Sequence, residues 1–364
     1  MLSANGAVPG VLLTVPADGR PPVPPETLVA GLTVRRRIEL AARRAGWETG
    51  APAATTPERQ RVVLVADNVV PDADWLRALR QLPFQPGRLH VDPAAALVVD
   101  APLSDPALDG MARWRSFGEA TAALTSKFAS TPLPIPPAGR FVLTSPRDVQ
   151  AAERWLLRRL IKPSEGFMSR HVERRLSLAL TRRLCRTSIT PNAMTIVSLT
   201  VGLLAAPFFL SSSPISQVAG ALLFLAHSIL DGCDGELARL KFLESRWGAV
   251  LDFWGDNLVH VAVFSMIAVG WSHELGAAWP LALGAFVVAI TATAATIVYA
   301  RTVRAPAAVA PESPLARAVD ALSHRDFIYV IVALAAFGKA AWFLVVTAFG
   351  GPVFIIMLAR ARSQ

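Results

Sequence analysis

Residues 231–256 read DGCDGELARLKFLESRWGAVLDFWGD, and they lie between two strongly apolar runs. The stretch holds four aspartates, Asp231, Asp234, Asp252 and Asp256, at spacings of three, eighteen and four. Asp231, Asp234, Ala238 and Arg239 fall near one face of a helix. Gly248, Asp252, Asp256 and His260 recur at every fourth position of a second helix. A short basic loop joins the two, so they pack antiparallel and their acidic faces can meet near one end. Ionised carboxylates within a bilayer are expensive, and they pair or face a wet cavity. Four together repel one another. Hard divalent cations such as Mg²⁺ or Mn²⁺ remove that repulsion because they prefer carboxylate oxygens. Four aspartates suit two such ions, and two ions suit displacement at phosphorus, where they clamp the attacking and leaving oxygens. Gly235 and Gly248 let backbone or substrate approach closely, and Arg239 offers a charged fork to a phosphate oxygen. Ion-coupled transporters also use intramembrane acids, but they do not require this Gly-x2-Ala-Arg context.

Outward from this stretch, the 364-residue chain divides into two halves of different character. Residues up to about 165 are mixed and Pro-rich, whereas long apolar runs dominate the rest and bring the mean hydropathy to +0.42. A hydrocarbon core of about 30 Å needs about 20 apolar residues per helix. Candidate spans are 191–211, 216–238, 248–271, 278–301, 326–340 and 341–360, the last two joined by a hairpin at Gly338-Lys339 or else forming one long tilted segment. Arginines crowd the segment before the first span, and Lys and Arg recur after the second and fourth spans and in the tail. The loops SSSPIS and SHELGAA have none. By the positive-inside rule this alternation fits six spans with both termini cytoplasmic in an inner or plasma membrane. The net charge of +9 is then explained by basic flanks facing an anionic leaflet. No motif for reading nucleic acid accompanies it, so nucleic acid is not an expected partner. The segment EGFMSRHVERRLSLALTRRLCRTSITPN alternates arginine with apolar residues, as a basic amphipathic helix in the membrane interface does. Cys185 and Cys233 have no CxxC or His-rich neighbourhood, and both read as reduced thiols. The N-terminus, MLSANGAVPGVLL, lacks a charged n-region and does not read as a signal peptide.

The first half reads as α/β. GVLLTV, RVVLVADNVV, ALVVDAP and GRFVLTS are candidate strands; VAGLTVRRRIELAARRAGW and DADWLRALRQL have helical periodicity. SPRDVQAAERWLLRRLIK is a further helix, capped by Ser145 or Asp148. Alternating strand and helix favours a layered sheet.

The pattern D-x2-D-G-x2-A-R-x8-G-x3-D-x3-D resembles the signature of the CDP-alcohol phosphotransferase family, and Asp231, Asp234, Gly235, Ala238, Arg239, Gly248, Asp252 and Asp256 meet every fixed position. The resemblance implies a bundle of six transmembrane helices and a divalent-metal site. It implies transfer of a phosphoalcohol group from a CDP-alcohol to an acceptor hydroxyl with release of CMP. It also implies that Asp231, Asp234 and Asp252 bind metal and that Asp256 completes the site as catalytic base. ITPNAMT matches the opening of the first span in this family; Asn192 and Thr195 could touch the nucleotide there, or Thr190-Pro191-Asn192 could simply cap the helix. His227 and His260 read as hydrogen-bonded packing histidines, with a contact to the acceptor as the alternative. Arg301, Arg304 and Arg325 are candidates for an acceptor phosphate, against ordinary positive-inside charge. Tyr329 and the tryptophans read as interface anchors.

The first half loosely resembles the nucleotidyltransferase-like domain fused to some members of this family, with Asp67 at the place of a metal-binding acid. It departs from active versions in its first loop. LLTVPADGRPPVPPE has one Gly, several Pro and no Lys, where a triphosphate cradle needs backbone amides. The expectation is a catalytically inactive cytoplasmic domain over 1–163, a platform or a binding module, before a membrane domain over 164–364. The donor is CDP-diacylglycerol or a soluble CDP-polyol such as CDP-inositol, and the acceptor is an alcohol such as a phosphorylated polyol. Family members commonly dimerise, which makes a homodimer an expectation without a named interface. The non-enzymatic alternative is a membrane-anchored scaffold, in which the aspartates would be replaceable.

Overall fold

The computed structural model describes residues 10–19, 23–49, 59–102, 105, 106, 108, 111–161, 172–300 and 327–360. Two compact units divide the chain, Met1–Arg158 and Arg159–Gln364.

In the first unit the elements run β1 (Gly10–Val15), β2 (Leu28–Val29), β3 (Leu32–Thr33), α1 (Val34–Arg44), β4 (Glu48–Thr49), β5 (Arg59–Ala66), β6 (Val69–Pro71), α2 (Ala73–Gln81), β7 (Arg88–Asp92), β8 (Ala96–Pro102), α3 (Phe117–Thr125), β9 (Ala129–Pro132), β10 (Arg140–Val142) and α4 (Asp148–Arg159). The main sheet is mixed, in the order β4-β1-β5-β8-β7-β9. β1 pairs in parallel with β4 and β5, and β8 is antiparallel to both β5 and β7. Val62, Val63, Leu64 and Val65 on β5 and Leu97, Val98 and Val99 on β8 are all buried. Uninterrupted apolar runs of this kind belong to strands covered on both faces.

The helix read from VAGLTVRRRIELAARRAGW begins later than its periodicity suggests. Leu28–Thr33 forms a small antiparallel hairpin, and Ala30 (φ 48°) and Gly31 (φ 82°) supply its two positive-φ positions. Thr33 then caps α1 by accepting from the Arg36 amide. Arg37 on α1 is buried and donates from Nε to Val29 O and from Nη2 to Ala30 O, which holds the hairpin against the helix. A second buried arginine, Arg61 on β5, makes a two-point pair with Asp100 on β8 at 2.7 Å for each bond. Its Nη1 donates to the carbonyls of Leu79, Arg80 and Leu82, taking up the open end of α2.

In the second unit the elements are α5 (Arg174–Leu184), α6 (Pro191–Ala205), continued by a tighter turn over Ala206–Leu210, α7 (Pro214–Lys241), α8 (Arg246–Leu275), α9 (Trp279–Tyr299), α10 (Phe327–Ala336) and α11 (Trp342–Arg360). Pro191 opens α6, and Thr190 Oγ1 accepts from the Ala193 amide, so this stretch does cap a helix. Ser245 caps α8 by accepting from the Gly248 amide at 2.9 Å. The core of the unit joins Phe224, Val259, Val263, Phe264, Ile267, Ile328, Ile331 and Phe343. Large apolar side chains such as Ile215, Leu204, Leu258 and Phe349 point outward, as they do on helices whose solvent is lipid.

Among the described residues five helices are long and apolar enough to cross a membrane, where the sequence reading expects six. The difference lies in α10. Ten residues of it are described, about 15 Å of helix, which is half the hydrocarbon thickness. The chain turns after it at Gly338 (φ 65°) before α11 begins, so the last two apolar segments are separate helices.

Candidate active site

The site is built where the start of α6, the second half of α7 and the first half of α8 pack together. α7 and α8 are joined by a tight connection. α7 ends at Phe242 in the left-handed conformation (φ 57°), and Leu243 N donates back to Ala238 O at 2.8 Å. Three residues later α8 is under way, running back beside α7. This antiparallel return brings the two aspartate pairs together.

Asp231, Asp234 and Asp256 are buried and Asp252 is half-buried. Oxygen atoms of Asp231, Asp234 and Asp252 lie within 4.8 Å of one another. A second group joins Asp231 and Asp256 to a ring nitrogen of His227 at the same spacing. Asp231 belongs to both groups. All four aspartates singled out in the sequence thus converge. The donor set suits hard divalent cations, since carboxylate oxygens dominate it and the spacing is one that a single ion can bridge.

A cleft with an empty volume of about 560 Å³ opens beside the first group. Asn192, Thr195, Asp234, Gly235, Ala238, Arg239, Gly248 and Asp252 line it, with Pro191, Leu243, Glu244, Ser245 and Ala249. Eight of the sequence-selected residues therefore share one cavity. Asp231, Asp256 and His227 are not part of its lining and lie further into the helices. The Thr195 hydroxyl donates to Asp234 Oδ2, so Thr195 orients a carboxylate. Gly235 leaves room for the Arg239 guanidinium, whose Nη1 would be 3.3 Å from a Cβ built there. Arg301 lies outside the described residues, as do Arg304 and Arg325.

His260 behaves as a packing histidine. Its ring meets Phe224 edge-on at 5.5 Å, stacks on Phe264 at 6.0 Å and meets Phe327 at 5.4 Å. Its Nδ1 is 3.8 Å from Asp256 Oδ2. His227 differs. It is fully buried, its Nδ1 is 2.9 Å from Ser198 O, and its Nε2 is 3.3 Å from Asp256 Oδ1. Its position one turn before Asp231 was the available signal, and packing was the simpler reading of it.

Glu236 was not singled out in the sequence, although it stands inside the signature. It is fully buried and accepts from Arg174 Nη1 at 2.7 Å, Ser177 Oγ at 2.7 Å and Thr181 Oγ1 at 2.6 Å. All three donors lie on α5. The basic amphipathic helix is therefore pinned to α7 by a buried carboxylate, on the turn that carries Asp234. No apolar periodicity announces such a contact. Cys185 and Cys233 are both buried thiols outside any disulfide.

In the first unit, Asp67 follows β5. Its Oδ1 accepts from the Ala17 amide at 2.9 Å, and its own amide donates to Val15 O. Burial pushes its carboxyl above the usual range, against the opposing pull of the Ala17 amide and Arg35. The carboxylate is engaged in holding the loop after β1.

Comparison with known proteins agrees with this geometry. Residues 188–351 match the CDP-alcohol phosphatidyltransferase family. A bifunctional IPC transferase and DIPP synthase of Thermococcus kodakarensis is 34% identical over 131 residues, which are 36% of this chain and 29% of that protein. The protein of the same description from Rubrobacter xylanophilus is 36% identical over 149 residues, 40% of this chain and 34% of its own length. A CDP-diacylglycerol–serine O-phosphatidyltransferase of Mycobacterium bovis is 36% identical over 99 residues, 25% of this chain and 34% of its length. The chain thus spans about a third of the length of the curated relatives it matches. The match of residues 188–351 to the CDP-alcohol phosphatidyltransferase family contains the aspartates, the cleft and the helices that build them.

Proposed function

We propose that the membrane unit transfers a phosphoalcohol group from a CDP-alcohol to an acceptor hydroxyl and releases CMP. The observation that carries this reading is the convergence of four aspartates, two of which, Asp234 and Asp252, line a cleft together with Asn192, Gly235, Arg239 and Gly248. Asp231, Asp234, Asp252 and Asp256 would hold two divalent cations, Mg²⁺ or Mn²⁺, which supply charge neutralisation at the pyrophosphate. Asp256 takes the proton of the acceptor hydroxyl. The acceptor oxygen bonds to the phosphorus that carries the alcohol, and the bond from that phosphorus to the oxygen bridging to CMP breaks. Arg239 presents its fork to a phosphate oxygen. Asn192 and Thr195, at the opening of α6, lie where the nucleotide enters. Burial of Asp231 and Asp256 keeps water from competing with the acceptor.

For the donor we favour a phosphatidyl-type group from CDP-diacylglycerol, in keeping with outward-facing apolar helices and the serine phosphatidyltransferase relatives. A soluble CDP-polyol such as CDP-inositol is the second reading. It is favoured by relatives whose names join two activities in one protein, beside the α/β unit that this chain carries ahead of its membrane helices. The α/β unit itself reads as an inactive nucleotidyltransferase-like platform. By the positive-inside rule both ends of the chain are cytoplasmic.

The test is CMP release by the purified full chain, with and without Mg²⁺ or Mn²⁺. CDP-diacylglycerol and CDP-inositol are offered in separate arms with polyol and polyol-phosphate acceptors. Metal-dependent release in one arm is expected, reduced about 10²–10⁴-fold in Asp256→Asn. Full activity in that variant would overturn the assignment of the base, and silence in both arms would return the scaffold reading.

A further inference from the structure

His227 is enclosed by α6, α7 and α8 and is fully buried. A Cβ built on Gly202 of α6 would meet His227 Cγ at 2.8 Å and Val259 Cγ1 at 2.6 Å, so the ring is held in place from that side. Phe224 stacks on it with centroids 6.2 Å apart. Its Nδ1 lies 2.9 Å from the carbonyl oxygen of Ser198. A carbonyl oxygen only accepts, so Nδ1 carries the hydrogen. The ring then turns Nε2 toward Asp256 Oδ1, 3.3 Å away. At that distance the nitrogen and the oxygen share either a proton or a cation.

We propose that Nε2 of His227 is a ligand to one of the two divalent cations, together with Asp231 and Asp256. The proposal rests on the phosphotransferase reading for the presence of two cations, and on this chain's geometry for the nitrogen. Adjacent ligands on an octahedral ion with bonds of about 2.1 Å stand about 3.0 Å apart, close to the observed separation of Nε2 and Oδ1. A backbone carbonyl on the far nitrogen is how ligating histidines are fixed in tautomer and orientation. The two positions are then unequal. One is lined by Asp231, Asp234 and Asp252, all oxygen; the other takes oxygen from Asp231 and Asp256 and nitrogen from His227. Imidazole suits first-row transition ions better than Mg²⁺, so the second position prefers Mn²⁺. Asp231 belongs to both groups and bridges the two positions.

The experiment is pulsed EPR on the detergent-purified full chain loaded with Mn²⁺ alone. A ¹⁴N coupling from imidazole is expected in the wild type and in His260→Gln, replaced by a ¹⁵N coupling when histidine is ¹⁵N-labelled, and absent in His227→Gln. Competition between Mn²⁺ and Mg²⁺ gives a second readout, with the Mn²⁺ preference falling about 10–100-fold in His227→Gln. The wild-type and His260→Gln spectra decide the matter even where His227→Gln fails to fold. No nitrogen coupling in the wild type overturns the proposal and leaves His227 a hydrogen-bond partner of Asp256. A coupling lost in His260→Gln overturns it in favour of the other ring. Nitrogen coupling without CMP release from either donor class would sustain the ligand and sink the transferase reading.

Discussion

The hydroxyl that Thr195 gives to Asp234 Oδ2 comes from one turn into a well-capped helix. Its value lies in aiming a carboxylate. A hydrogen bond to a charged group contributes about 1.5–3 kcal/mol. Thr195→Val is therefore expected to raise the metal concentration for half-maximal CMP release about 10–100-fold, and Thr195→Ser to restore it. An unchanged metal requirement in the valine variant would show that Asp234 needs no such support. A different carboxylate sets a pH dependence in the first unit. Asp148 accepts from the hydroxyl and amide of Thr144 and from the amide of Ser145, and these bonds hold its carboxyl below the usual range. A depressed carboxylate pKa contributes stability above the unfolded value and loses it as pH falls through the folded one. Asp148→Ala should lower the thermal midpoint of the first unit at pH 7, and the gap from wild type should close as pH falls below about 4. A gap independent of pH would assign the loss to something other than ionised capping.

Helix α5 has the composition of a segment that rests in the membrane interface, yet its inward side holds Ser177 and Thr181 in full burial against Glu236. Removing one partner of a buried ion pair costs about 3–5 kcal/mol, because the other is left without compensation. Glu236→Ala should therefore release α5 from α7, and the sign of it should be faster maleimide labelling of Cys185 and Cys233, both buried in the wild type. Labelling at the wild-type rate would mean that apolar contacts alone hold α5. Close approach of α6 to α7 and α8 depends on Gly202 in the same way. Gly202→Ala has no room beside Val259 and His227, and overpacking costs about 1–3 kcal/mol. It should reduce CMP release more than its loss of thermal stability explains, through displacement of the His227 ring.

For the molecule as a whole, the charge of the loops predicts a topology that labelling can check. α7 has 28 residues, about 42 Å from end to end, so the segments at its two ends emerge on opposite sides of a bilayer. Cysteines placed at Ser212 and Glu244 in sealed vesicles, in a background lacking Cys185 and Cys233, should label from opposite sides, with Glu244 on the cytoplasmic one. Labelling of both from one side would exclude α7 as a span. A catalytic role for the α/β unit would need Asp67 to bind metal. The hydrogen bond from Ala17 and the raised pKa of its carboxyl suit a structural acid better. Asp67→Asn is expected to leave CMP release within about twofold of wild type; a loss as large as that of Asp256→Asn would make the first unit part of the reaction.

The chemistry was legible in the order of residues because helices are periodic. Asp231 and Asp234 on one helix and Asp252 and Asp256 on the next are placed by steps of three and four, and the short connection forces an antiparallel return. Strand runs such as Val62–Val65 were legible for the same kind of reason, since a doubly covered strand is apolar throughout. Other features depend on groups far apart in the chain. Glu236 and Arg174 are 62 residues apart, and nothing local says that a glutamate inside the signature faces another helix. The tautomer of His227 is set by a carbonyl 29 residues away, a backbone group that leaves no mark in the sequence. The hairpin before α1 won over helical periodicity because Ala30 and Gly31 turn the chain and a buried arginine holds the turn. Hydropathy left the last two apolar segments as a hairpin or one long tilted helix, since both are equally apolar, and the turn at Gly338 (φ 65°) decides for two helices.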